Sequence, residues 1–135
     1  MKDERIARYK IKFQYIVEHI CLADSLVDDP TTIEQKALYY CILTSIESAM
    51  DIVSMATKDL GSVPKGDSEN IQFLTSESII SLELGEHLSK CNRLRNVLVH
   101  QYNGIDKDIV LDSYPDVKKT LEAFVEIMER YVNDA

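Results

Sequence analysis

At 135 residues with 45% hydrophobic content, the chain is long enough to bury a real core as one domain spanning residues 1–135. A formal net charge of −8 argues against a protein that coats nucleic acid nonspecifically, because such affinity comes mostly from neutralising phosphates; a local basic site stays compatible with it. Cys21, Cys41 and Cys91 are widely spaced and odd in number, the start after Met1 is not secretory in type, and no apolar run approaches membrane length, which together imply reduced thiols in a cytoplasmic protein with no membrane segment.

Ile6, Tyr9, Phe13, Ile16, Val17, Ile20 and Val27 recur at three- and four-residue steps and predict a first helix from about Glu4 to Val27, ended by Asp28-Asp29-Pro30. Arg5, Arg8 and Lys12 share one edge of it, either as an RNA path or as a solvated basic edge. Thr31 with Glu34 three residues on is a capping-box pattern opening a second helix that carries Ala37, Cys41, Ala49, Ile52, Val53, Ala56 and Leu60 to Gly61. Glu47 and Asp51 lie on one face of that helix at i, i+4.

Residues 61–68 read as a linker rich in glycine, proline and serine. Gly61 and Gly66 have phosphate-loop spacing, but Asp67-Ser68 stands where Lys-Ser/Thr is required and would repel phosphate. A short helix from about Glu69 to Ile80 is expected, 82–85 is open, and a further helix runs to about Asn103, where Asn103-Gly104 is a natural stop. Asp106 caps a last helix carrying Ile109 through Val132, which Pro115 should kink or begin. With no strand pattern or repeat in competition, the fold class is all-α: an antiparallel bundle of four to five helices.

The fourth of these helices holds the stretch Arg95-Asn96-Val97-Leu98-Val99-His100-Gln101-Tyr102, with a guanidinium, an imidazole and a phenol in an otherwise apolar segment. Leu84, Leu88, Cys91 and Leu98 mark the inward lane, and Arg95 and Tyr102, seven residues apart, fall on it where apolar residues are called for. A buried cation needs a partner or a cleft that binds an anion, so Arg95 either pairs with a carboxylate or handles phosphate. Asn96 and His100 are i, i+4 neighbours on the adjacent lane; His100 is offset from Arg95 by about 140° on an ideal helix, a gap the long arginine stem can narrow. His100 in the last turn either caps exposed carbonyls or serves proton transfer.

This string resembles the Arg-x4-His-x-Tyr motif of the HEPN superfamily, in its HepT-like branch of toxin ribonucleases partnered by minimal nucleotidyltransferases. Ile46 to Ile52 is similar to that branch's second-helix signature, and Asn103 to Asp106 to the turn after its active-site helix. The resemblance implies a metal-independent endoribonuclease without a cofactor, acting on RNA at the cleft of a two-fold homodimer. His100 would move protons, Arg95 would stabilise the phosphorane, Asn96 would orient the imidazole or the phosphate, and Glu47 and Asp51 would orient Arg95 or remain solvated carboxylates. Tyr102 would be the residue that a cognate nucleotidyltransferase antitoxin adenylylates to silence the site, or a half-buried tyrosine covering the dimer seam. The competing reading is a noncatalytic helical module that binds a nucleotidyltransferase or a nucleotide.

Other chemistries lack their residues. None of His19, His87 or His100 has a carboxylate three positions before it, so the Glu-x-x-His pairs of di-iron bundles are absent, and His87 is expected to pair with Glu83 at the surface.

Overall fold

A computed structural model describes residues 1–100 and 104–135, which form five helices: α1 (Asp3–Asp24), α2 (Thr32–Asp59), α3 (Asp67–Ser76), α4 (Leu82–His100) and α5 (Lys107–Asp134). No strand occurs among the described residues, and no helix there is long and apolar enough to cross a membrane. The all-α antiparallel bundle expected from the periodicity is the fold found.

Local chemistry sets the helix ends. Thr31 accepts from the Glu34 amide while the Glu34 carboxylate accepts from the Thr31 amide, so two orphan donors of α2 are satisfied reciprocally. At its other end Gly61 takes φ 88°, and the Ser62 amide donates to the Thr57 carbonyl, a Schellman stop that glycine adopts without strain. Ser78, at φ 58°, closes α3 the same way through the bond from the Ile79 amide to Leu74; α3 therefore spans Asp67–Ser76 rather than Glu69–Ile80. The open stretch 82–85 is helical because the Ser81 hydroxyl accepts from the Leu84 amide and starts α4 there.

The first helix departs from expectation in two respects. α1 stops at Asp24, three residues before Val27, with Ser25 capping it, and Val17 is 57% exposed because its lane points away from the core. Pro115 lies inside α5, which starts at the Asp106 cap. Pro115 is exposed and nine residues into the helix.

α2 packs against each of the other four helices and supplies Leu38, Ile42, Ile46, Ile52 and Val53 to the core, where Tyr9, Ile16, Leu88, Leu121, Phe124 and Met128 meet them. Burying a side chain of this kind contributes about 1.5–3 kcal/mol, so the centrality of α2 fixes the positions of its neighbours. Polar ties at the bundle edges set the register. Arg5 and Tyr9 both donate to Asp59, and Lys12 donates to Asp51, which aligns α1 antiparallel to α2. Tyr114 and Lys118 of α5 both hold Asp24 at the end of α1.

Candidate functional site

The inward lane of α4 is built as its spacing predicts, with Leu84, Leu88, Cys91 and Leu98 buried. Arg95 lies on the same lane, yet its side chain is 29% exposed because α2 presents a carboxylate there. The Arg95 guanidinium comes within 4.0 Å of the Glu47 carboxylate and donates from Nη1 to the Asn96 side-chain oxygen at 2.9 Å. Both groups face an open edge, and Glu47 is 43% exposed. Arg95 is thus held by two contacts that an incoming phosphate, with its stronger acceptor oxygens, is able to replace.

His100 is the last described residue of α4 and is exposed. Among the described residues no hydrogen bond or ion pair joins it to Arg95, whose guanidinium turns toward Glu47 of α2. Asn96, also exposed, lies one turn before His100 and carries the contact to Arg95. Tyr102 and Asn103, expected to complete the motif and end the helix, lie outside the described residues.

Asp51 does not join this group. Its carboxylate accepts from Lys12 at 2.8 Å, because the antiparallel register of α1 on α2 sets those two side chains opposite each other. The same register removes most of the proposed basic edge of α1: Arg5 is committed to Asp59 and Lys12 to Asp51. His87 pairs with Glu83 at 3.8 Å on the surface, as its spacing suggested.

The structure adds residues that sequence reasoning passed over. Tyr39 reaches toward the start of α5, where burial and then the carboxylates of Asp106 and Asp108 push its phenol above the ordinary tyrosine range. The Asn92 side-chain oxygen, one turn before Arg95, is enclosed with no partner among the described residues. Two turns before Glu47 on α2, the Tyr40 phenol is raised first by its hydrogen bond with Tyr15, whose ring stacks on His19 with centroids 3.8 Å apart. Tyr39 and Tyr40 lie in the apolar run of the second helix, where two adjacent tyrosines were the signal.

Residues 10–128 match the family described as Ribonuclease HepT-like. A protein of Archaeoglobus fulgidus named "Putative RNase" is 46% identical over 125 residues, 93% of either chain. Among solved structures, a tri-AMPylated Shewanella oneidensis HEPN toxin in complex with MNT antitoxin superposes with a TM-score of 0.83 at 20% identity, over 96% of this chain and 99% of that one. A cytosolic protein of Bacillus subtilis, YutE, superposes with a TM-score of 0.85 at 19% identity, over 95% and 90%. These two likenesses are of fold. The family match over nearly the whole chain and the archaeal relative carry the assignment: the chain belongs to the Ribonuclease HepT-like family.

Proposed function

We propose that this protein is an endoribonuclease of toxin type, cleaving RNA without a metal at the end of α4. The observation that carries the reading is the disposition of Arg95 and His100: a partly exposed guanidinium held by replaceable contacts, and an exposed imidazole one and a half turns further on. In the cleavage step the ribose 2'-oxygen forms a bond to the adjacent phosphorus and gives up its proton to a general base. The phosphorus–O5' bond breaks, and the leaving oxygen takes a proton from a general acid. The products are a 2',3'-cyclic phosphate and a 5'-hydroxyl end. His100 supplies proton transfer, Arg95 stabilises the charge that develops on the phosphorane, and Asn96 orients Arg95. Glu47 is a positioning residue for Arg95.

One imidazole serves only one of the two proton transfers. A two-fold homodimer supplies the second, from the His100 of another copy, and its self-complementary contact would bring the two α4 ends together. Because Arg95 and His100 diverge on their helix by about 140°, a site shared between copies also relieves the need for one arginine to reach around its own helix.

The motif position of Tyr102 makes it the acceptor for regulation by a nucleotidyltransferase antitoxin, in line with the AMPylated state and the antitoxin named for the Shewanella structure. Transfer of AMP from ATP to the phenol oxygen releases pyrophosphate and leaves a bulky anion beside the phosphate site, which repels RNA.

The deciding experiment compares wild-type protein with His100→Ala on a labelled mixed RNA in EDTA at matched folding and oligomeric state. Cleavage by the wild type alone, leaving cyclic phosphate ends, supports the ribonuclease. No cleavage by either, with both well folded, favours a noncatalytic module that presents Tyr102 to its partner. Mass spectrometry of the Tyr102 peptide after incubation with the partner and ATP tests the modification, and an unmodified peptide overturns it.

A further inference from the structure

A groove of about 560 Å³ runs between α3 and the first half of α4, lined by Gln72, Thr75 and Ser76 on one side and Glu86, Ser89, Lys90 and Arg93 among the residues on the other. We propose that this groove holds a single strand of the RNA substrate by its phosphates, next to the cleavage site. The inference rests on the ribonuclease reading for its substrate and adds a second subsite to it.

Three observations carry it. First, Lys90 and Arg93 both line the groove and neither side chain makes an ion pair or hydrogen bond among the described residues, so both are free to meet a phosphate. In a chain of net charge −8, these two cations stand three residues apart on one helix face and both line the same groove. Glu86, the groove's own carboxylate, leaves an excess of one positive charge. Second, Arg93 and His100 are seven residues apart and therefore lie on nearly one line of α4, about 10 Å along its axis. That separation suits a phosphate neighbouring the scissile one. Arg95 points the other way, toward Glu47, so the groove and the guanidinium contact different phosphates. Third, the lining offers hydroxyl and amide groups and no aromatic ring, which fits recognition of the backbone and tolerance of base sequence.

The groove owes its form to Gly85. A Cβ there would stand 2.7 Å from the Thr75 hydroxyl oxygen, so only glycine lets α3 approach α4 this closely.

The test uses Lys90→Gln/Arg93→Gln in the full chain. Binding of a fluorescein-labelled unstructured RNA of about twenty nucleotides is measured in a His100→Ala background across a salt series, and cleavage is measured on that RNA and on a dinucleotide with one phosphate. Losing two contacts to a single strand should reduce the salt slope by about 1.4 and weaken binding at low salt by roughly tenfold. KM for the long RNA should rise with kcat unchanged, dinucleotide cleavage should be unaltered, and Arg93→Lys should recover part of the affinity. Unchanged affinity and slope overturn the proposal. So does an equal loss on both substrates, which means a distant disturbance of the catalytic end, or loss of a nucleotidyltransferase complex with RNA affinity intact, which assigns the groove to a protein. If the wild type cleaves neither substrate, the ribonuclease reading fails, while the binding arm still decides the groove.

Discussion

The Glu47 carboxylate stands 4.0 Å from the Arg95 guanidinium, close enough for attraction and too far for a hydrogen bond. With side chains 29% and 43% exposed, a pair of this kind contributes about 0–1 kcal/mol to stability. Its effect is expected in chemistry instead. Glu47→Gln should leave the urea midpoint nearly unchanged and lower kcat for RNA several-fold, because Arg95 loses the charge that holds it at the cleft edge. Asp51→Asn, whose partner is Lys12, should leave kcat at the wild-type value. Steady-state kinetics beside urea titrations check both, and equal kcat in Glu47→Gln and wild type would remove Glu47 from the site.

The two ends of α1 are fastened by carboxylates, and this sets an acid limit on the fold. Hydrogen bonds from Lys118 and Tyr114 hold Asp24 below the ordinary range. Burial pushes Asp59 up, but the bonds from Arg5 and Tyr9 outweigh it and leave that group depressed as well. A carboxylate depressed in the folded state contributes stability that is fully present above its unfolded pKa, about 3.9, and is lost as pH falls through the folded value. Unfolding free energy should therefore be flat near neutrality and decline below about pH 4. Asp24→Asn and Asp59→Asn should each be less stable at pH 7 and show a shallower decline, measured by urea titration at a series of pH values.

How far the sequence announced these features depended on their range. Helix ends that are local hydrogen-bond chemistry were legible: Thr31 with Glu34, Gly61 and Asp106 all do what their spacing implied. The α3 stop at Ser78 was not, since a left-handed serine carries no glycine signal. Of the two roles open to Pro115, starting the last helix falls to the Asp106 cap instead, and the proline lies at an exposed position inside α5. At the site, the inward lane placing Arg95 beside buried Leu98 was visible, whereas the partner choice was not. Whether Glu47 or Asp51 meets Arg95 depends on how α4 registers against α2, while the register of α1 gives Asp51 to Lys12, and register is a property of two helices rather than of a spacing in one.

Gly85 is expected to be intolerant of a single methyl group. Elsewhere in a helix Gly→Ala is favourable by roughly 1 kcal/mol. Here the added Cβ would meet the Thr75 oxygen at 2.7 Å, and that oxygen is fixed by its bond to the Ile71 carbonyl. Overpacking of this kind costs about 1–3 kcal/mol, so Gly85→Ala should destabilise despite its helix propensity. Removing the obstructing oxygen in Gly85→Ala/Thr75→Ala should recover most of the loss relative to Thr75→Ala alone. A double-mutant cycle by thermal or urea unfolding measures this coupling, and strict additivity would show that α3 and α4 part freely at this contact.

The three thiols should differ in reactivity by place. Cys21 is exposed, while Cys41 and Cys91 are 6% and 3% exposed. Burial raises the Cys41 thiol, and it pushes the Cys91 thiol up to about 11 in spite of a hydrogen bond with Thr120. Because the thiolate is the nucleophile, Cys91 is protected both by enclosure and by the small fraction ionised at pH 8. Titration of the native protein with an aromatic disulfide reagent at pH 8 should show one fast equivalent, abolished by Cys21→Ser, and two slow ones whose rate follows unfolding and rises with urea. A second fast equivalent that persists in Cys21→Ser would mean that the contact of α2 or α4 with its neighbours opens far more often than the packing of Cys41 and Cys91 implies.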